Sequence, residues 1–308
     1  MSTPGISQAP ETRSLRASLL SLEPAVRAEV LAGLSDEHAA ALLYDWRGLW
    51  ARDPQVTPQG EWRTWLLLAG RGFGKTRVGA EWVREQVESG KARRIALVAR
   101  SAADIRDVMV EGESGILAVS PPWNKPKYEP SKRRLTWPNG AIATTYSADE
   151  PNLLRGPQHD AAWADERAAW RYDDAWDQLM FGLRLGSDPR CVVTTTPRPT
   201  KAIKELIADS GTFVTRGSTY DNRANLAKAF LEKIVKKYEG TRLGRQELNA
   251  EILEDTEGAL WTMALIEASR VAEAPAGLVR IVVGVDPAVT SGESSNETGI
   301  VICGQIGR

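Results

Sequence analysis

Three short runs of this chain carry side chains suited to phosphate chemistry. In the first, Gly70-Arg71-Gly72-Phe73-Gly74-Lys75-Thr76 follows the apolar stretch Trp65-Leu66-Leu67-Leu68-Ala69. Glycines admit backbone conformations closed to other residues, so successive N–H groups can turn inward on an anion. A lysine closing such a loop reaches the β- and γ-phosphates of a nucleotide, and the next hydroxyl holds Mg2+. Lys75 and Thr76 stand at those positions. The usual pattern, G-x-x-x-x-G-K-[ST], has glycine where this chain has Ala69. The setting offsets that departure, because a buried-type strand precedes the turn and Val78, Ala80, Trp82 and Val83 follow in a helical pattern. Without that setting, a glycine-rich turn beside a lysine reads as an ordinary loop.

The second run, Asp160-Ala161-Ala162-Trp163-Ala164-Asp165-Glu166, closes an apolar strand with two adjacent carboxylates. In a phosphate-loop ATPase, a strand end beside the loop presents one acid to the metal and the next to the attacking water. On that reading Asp165 coordinates Mg2+, directly or through water, and Glu166 is the general base. Taken alone, the pair is N-terminal charge on a helix expected over Arg167 to Leu185, which the macrodipole favours. The third run, Arg190-Cys191-Val192-Val193-Thr194-Thr195-Thr196-Pro197, is a β-branched strand ending in hydroxyls. Hydroxyls there would lie beside the γ-phosphate and sense it, although threonine also simply suits a strand.

Positioning these groups takes an α/β fold. A strand before the loop, a helix after it and a further strand at Arg94 to Val98 give the β-α-β order of a parallel sheet. Residues 1–14 are rich in Ser, Thr and Pro and are expected to be disordered. Residues 15–50 carry apolar side chains at helical spacing, in two or three short helices broken near Pro24 and Ser35. Between Arg134 and Tyr146, Pro138-Asn139-Gly140 predicts a hairpin. A length of 308 residues allows one large domain or two modest ones. The net charge of -1 excludes a global nucleic-acid-binding field, so any DNA contact must be local. Cys191, Cys303, His38 and His159 make no metal spacing, which points to a reduced, zinc-free cytosolic protein. No apolar stretch approaches the roughly 20 residues that span a bilayer, and the polar N-terminus is not a signal peptide.

In order along the chain, these runs resemble the large terminase subunit, the ATP-driven DNA-packaging motor of tailed bacteriophages and gene transfer agents. The resemblance extends from about Trp46 to the C-terminus. It includes the phosphate loop running into Arg77-Val78-Gly79-Ala80-Glu81-Trp82, the Walker B segment Ala164-Asp165-Glu166 and the coupling motif Thr194-Thr195-Thr196-Pro197. Leu154-Arg155-Gly156-Pro157, Thr219-Tyr220-Asp221-Asn222 and Gly258-Ala259-Leu260-Trp261 are also similar. The resemblance implies an ASCE-type P-loop ATPase core with a mainly parallel sheet over residues 51–216. A small helical lid and linker at 217–277 and the opening hairpin of an RNase H-like nuclease at 278–308 would follow. It implies ATP and Mg2+ as cofactors. It implies that Gln55 reads adenine, with Gln59 as the competing candidate and plain turn chemistry as the alternative for either. Arg71 would act in cis on the γ-phosphate, where a planar cation stabilises developing charge, or else pair only with a surface acid. Thr194, Thr195 and Thr196 would couple hydrolysis to movement of the neighbouring subdomain. The implied partners are double-stranded DNA, a portal protein, a small terminase subunit and further copies in a ring on the procapsid, in the bacterial host cytoplasm.

Beyond the core, Ala227 to Tyr238 and Arg242 to Leu253 read as lid helices, and Leu278 to Ala288 and Thr298 to Gly304 as two strands. By resemblance Asp286 would bind one of two nuclease metals. Asn296-Glu297 stands where the family often has Asp-Glu, and the sequence in hand stops before further acids, so nuclease activity is expected to be absent. Lys91-Ala92-Arg93-Arg94 and Ser131-Lys132-Arg133-Arg134 are candidate backbone contacts for DNA, although clusters of this size are usually solvated surface. Among the 11 tryptophans, Trp65 and Trp163 are expected in the core, and Trp46 and Trp50 near the nucleotide base. Two alternatives stand beside the packaging motor: a helicase-like translocase with the same core, and a non-catalytic remnant. Intact Lys75, Thr76, Asp165 and Glu166 count against the remnant.

Overall fold

The unbroken apolar run from Trp65 to Leu68 lies in the middle of a sheet covered on both faces. The computed structural model describes residues 15–239, 241–252, 261, 265, 277–286 and 299–306. Strand β1 (Thr64–Ala69) is buried along its whole length. Trp65 and Leu67 enter one apolar layer with Val83, Leu97 and Trp163, while Leu66 and Leu68 enter a second with Val98, Ala164 and Val193. Parallel strands covered on both sides read as continuous hydrophobic runs for this reason.

The other strands of the sheet are β2 (Arg94–Ala99), β3 (Lys127–Glu129), β4 (Arg134–Thr136), β5 (Ile142–Ser147), β6 (Ala161–Asp165), β7 (Arg190–Thr195) and β8 (Thr212–Gly217). Their order is β3-β4-β5-β2-β6-β7-β1-β8. The six strands from β5 to β8 pair in parallel. The β3–β4–β5 edge is antiparallel, and the predicted Asn-Gly turn joins β4 to β5 with Gly140 at φ 84°. Because β6, β7 and β1 are neighbours, the three sequence runs end side by side. Asp165 pairs in register with Thr194, and Leu67 and Leu68 with Thr194 and Thr195.

The helix after the loop, α4 (Lys75–Glu88), packs against the sheet through Gly79. A Cβ at Gly79 would stand 2.1 Å from the Trp163 indole, so a helix interior carries glycine despite its low propensity. Glu81 on this helix is buried between Arg77 and Arg84, and burial raises its pKa more than the two cations lower it. Arg84 also donates to the Tyr44 carbonyl at 2.7 Å, tying the N-terminal segment to the core. That segment is α1 (Leu15–Ser21), α2 (Pro24–Ala32) and α3 (Asp36–Leu43), with breaks at the expected residues. Ser35 caps α3 by accepting the His38 N–H. A π-helical turn over Trp46–Trp50 follows, and neither α2 nor α3 buries a residue.

Two expected helices differ from the sequence reading. No helix runs from Arg167 to Leu185; a 3-10 turn at Arg167–Ala169 is separated from a helix at Asp174–Gly182. The cause is local: Glu166 is left-handed at φ 47°, and the Arg167 guanidinium is buried against Trp170 and Trp176 and pairs with Asp173 at 2.7 Å. The helix from Arg242 ends at Glu247 rather than Leu253, because the Glu247 and Leu248 carbonyls turn to accept Arg71 N and Thr219 N at 2.7 Å each. Lys228 to Tyr238 is one helical stretch with a π-helical middle.

The chain divides into units 1–254 and 255–308. Within the second, β9 (Leu278–Asp286) and β10 (Gly299–Ile306) form an antiparallel hairpin with exposed Val283, Val285, Ile300 and Ile302. Residues 1–14, Gly258 to Leu260 and Asn296-Glu297 lie outside the described residues. Among the described residues, no helix is long and apolar enough to cross a membrane.

Candidate active site

The carboxyl ends of β1, β6 and β7 open into a cleft of about 920 Å3 lined by Gly72, Gly74, Lys75, Thr76, Asp165 and Glu166. The turn leading into it needs its glycines. Gly72 and Gly74 have φ of 75° and 100°, and a Cβ on Gly70 would fall 2.6 Å from the Leu248 carbonyl. Gly74 occupies the N-cap of α4, so the first N–H groups of that helix have no intrahelical partner and face the loop. A helix start of this kind attracts phosphate.

Lys75 is folded back on the loop, donating to the Ala69 and Gly70 carbonyls at 3.0 and 3.4 Å, and lies 3.7 Å from Glu166. Its ammonium group therefore sits between the loop and the acid that follows β6. The Glu166 carboxylate accepts from Thr196 N at 3.1 Å, Thr196 Oγ1 at 3.3 Å and Thr195 Oγ1 at 3.4 Å. Its side chain is 40% exposed, so water can approach it.

Asp165 is in different surroundings. It is buried, and its pKa is pushed up to about 7 by burial first and then by the Glu166 charge, with Thr194 and Lys75 opposing. Thr194 Oγ1 accepts from Trp163 Nε1 at 2.8 Å, and an indole can only donate. The Thr194 proton therefore points at Asp165 Oδ1, 2.5 Å away. A buried carboxylate with one oxygen satisfied, beside a hydroxyl-bearing helix start at Thr76, suits a hard divalent cation with oxygen ligands. The coupling-motif threonines are thus hydrogen-bonded to both acids.

The other residues singled out in the sequence occupy varied surroundings. Arg71 is largely exposed and bonds Glu247 Oε2 at 2.7 Å, which raises its pKa. Gln55 is buried behind the loop, with Nε2 donating to the Phe73 carbonyl at 3.1 Å and Oε1 accepting Arg52 N at 3.1 Å. Gln59 is exposed. Trp46 packs on the core under the Arg77 guanidinium, whereas Trp50 is 51% exposed and donates to the Leu42 carbonyl. The Lys91 to Arg94 cluster is exposed at the amino end of β2, the opposite edge of the sheet from the cleft. Ser131 to Arg134 is exposed at the start of β4, where Lys132 pairs with Glu129. Asp286 ends β9 in the separate hairpin unit.

Sequence reasoning missed Arg52 altogether, and it gave no role to Thr219 or Asn222. Thr219 Oγ1 donates to the Arg71 carbonyl and Asn222 Nδ2 to the Gly72 carbonyl, both at 2.6 Å. The Thr219-Tyr220-Asp221-Asn222 run was visible as a motif, but nothing local ties it to a loop some 150 residues earlier.

The family model for the terminase large subunit, T4likevirus-type, N-terminal, matches residues 66–268. Among curated proteins no sequence matches. Solved structures with a similar fold include the large terminase ATPase domain of Thermus phage P74-26, at 15% identity and TM-score 0.53 over 71% of this chain and 98% of that one. The large terminase of another thermophilic bacteriophage, in complex with ADP, is similar at 15% identity and TM-score 0.51, over 86% of this chain and 64% of that one.

Proposed function

This chain belongs to the terminase large-subunit family, T4likevirus type, and is a DNA-packaging motor ATPase; we propose how its own residues divide that work. ATP binds in the cleft at the ends of β1, β6 and β7, with its phosphates against the loop and the first turn of α4. Lys75 leaves the loop carbonyls for the β- and γ-phosphates. Thr76 and Asp165 would hold Mg2+, which when bound neutralises charge on the phosphate oxygens. Glu166 takes the proton of the attacking water, and its exposure and its bonds to Thr195 and Thr196 support that assignment. The observation that carries the reading is the meeting of Lys75 and Glu166 at 3.7 Å, from two runs 91 residues apart in the sequence.

Arg71 reaches the γ-phosphate after leaving Glu247. Arg71 is the exposed end of the pair it gives up, whereas the Glu247 side chain is only 14% exposed. Thr194 to Thr196 pass the change at the acids along β7, and Gln55 supports the loop on the side away from the cleft. We take double-stranded DNA, a portal protein, a small terminase subunit and further copies in a ring as its partners, in the host cytoplasm; the resemblance read from the sequence supports this.

The test is steady-state ATP hydrolysis by the purified chain with Mg2+, with and without double-stranded DNA, beside Lys75→Ala and Glu166→Gln. Both variants are expected to lose turnover by at least about a hundredfold, with Glu166→Gln still binding ATP. Equal turnover in wild type and Glu166→Gln would remove Glu166 from the mechanism.

A further inference from the structure

Three carbonyls of the phosphate loop are held by four side chains, none of them in the loop; Asn222 lies on the cleft wall, whereas Arg52, Gln55 and Thr219 do not line the cleft. Thr219 Oγ1 donates to the Arg71 carbonyl and Asn222 Nδ2 to the Gly72 carbonyl, at 2.6 Å each. Arg52 Nη2 and Gln55 Nε2 both donate to the Phe73 carbonyl, at 2.5 and 3.1 Å. Three consecutive carbonyls are therefore fixed by side chains. In a planar trans peptide the N–H of the next residue points opposite to the carbonyl, so holding the Arg71 and Phe73 carbonyls aims the Gly72 and Gly74 N–H groups the other way. Gly72 and Gly74 are the loop glycines that line the cleft.

Asn222 is the hinge of this arrangement. Its Oδ1 accepts from Arg52 Nη1 and from Asn225 Nδ2, and two donors on that oxygen fix the amide so that Nδ2 faces Gly72. Arg52 also lies over the Phe73 ring, 4.8 Å from its centroid, so the guanidinium locks the side chain as well as the backbone of that residue. Arg52 comes from the turn before β1, and Asn222 from the 3-10 turn after β8 (Thr219–Asn225).

We infer that Arg52 and Asn222 are linked positioning residues of the phosphate site, holding the loop carbonyls in place so that its N–H groups meet the phosphates of a nucleoside triphosphate. The inference rests on reading the cleft as an ATP site. A loop held this way before binding need not be ordered by the ligand, which strengthens binding of any polyphosphate whatever its base.

The experiment measures calorimetric affinities for Mg-ATP and for inorganic tripolyphosphate with wild type, Asn222→Leu, Arg52→Lys and the double variant, together with ligand-free melting temperatures. Each single variant is expected to weaken both ligands by the same factor, about tenfold, with a melting temperature within about 3 °C of wild type. The double variant should fall short of the roughly hundredfold loss of independent sites, because the two side chains are hydrogen-bonded to each other and hold adjacent carbonyls of one loop. A loss confined to ATP, with tripolyphosphate unaffected, would make these residues readers of the nucleoside and overturn the inference. So would unchanged affinities in folded variants, or a full hundredfold loss in the double variant. If Asn222→Leu does not fold, Asn222→Ser and the charge-keeping Arg52→Lys carry the comparison. A wild-type chain that binds neither ligand overturns the ATP-site reading itself, a different result from variants that match a wild type that binds.

Discussion

Thr194→Val removes one hydroxyl from the centre of the site and leaves the side-chain shape nearly unchanged. In the folded chain that hydroxyl accepts Trp163 Nε1–H at 2.8 Å and donates to Asp165 Oδ1 at 2.5 Å, with all three side chains buried. Losing a hydrogen bond to a carboxylate costs about 1.5–3 kcal/mol, and stranding a buried indole N–H costs about 1–3 kcal/mol more. The extra buried methyl returns about 1 kcal/mol. The net loss is about 3 kcal/mol, or about 8 °C in melting temperature for a unit of this size. Equilibrium urea unfolding followed by tryptophan fluorescence at pH 8, where Asp165 is charged, measures it directly. Thr195→Val is the comparator. Its hydroxyl accepts Ala168 N at 3.2 Å and touches Glu166 at only 3.4 Å, so about 1 kcal/mol is expected. If Thr194→Val loses less than Thr195→Val, the Trp163–Thr194–Asp165 chain is not what holds the end of β7 against β6.

Gly79→Ala gains about 1 kcal/mol of helix propensity but puts a methyl 2.1 Å from the Trp163 ring. Overpacking should win, for a net loss of about 2 kcal/mol by the same unfolding assay, and a stabilised variant would refute the packing argument. His159 should contribute a loss of stability on mild acidification, opposing the gain from Asp165, whose raised pKa makes the folded state take up that proton first. Burial lowers the His159 pKa to about 4, while the nearby Asp160 charge opposes the shift. The unfolded histidine titrates near 6.5, so the unfolded state binds the extra proton between those values and the His159 contribution to stability drops as pH falls through that window. From pH 7 to pH 5 this amounts to about 2 kcal/mol, and His159→Leu should flatten that part of the profile. A His159→Leu profile parallel to wild type would assign the acid sensitivity to other groups.

Much of the site was legible because it is written in local runs. A glycine-rich turn between an apolar strand and a helix, an acid pair at a strand end and threonines at another each carry their own backbone logic, and residues 64–76, 161–166 and 190–196 take the elements those patterns call for. The sheet layers were equally readable, since a run buried on both faces has to be apolar throughout. The sequence could not say which strands adjoin. Only the order β6-β7-β1 brings Asp165, Thr194 and the loop together and gives Asp165 the burial that raises its pKa to about 7. Nor could it say that Gln55 would be spent on the Phe73 carbonyl, that Arg71 would bond Glu247, or that Arg52 and Asn222 would meet beside the loop. Those contacts join residues up to 176 positions apart. A hydrogen bond at such separation is set by where two elements dock, which no local run of residues encodes.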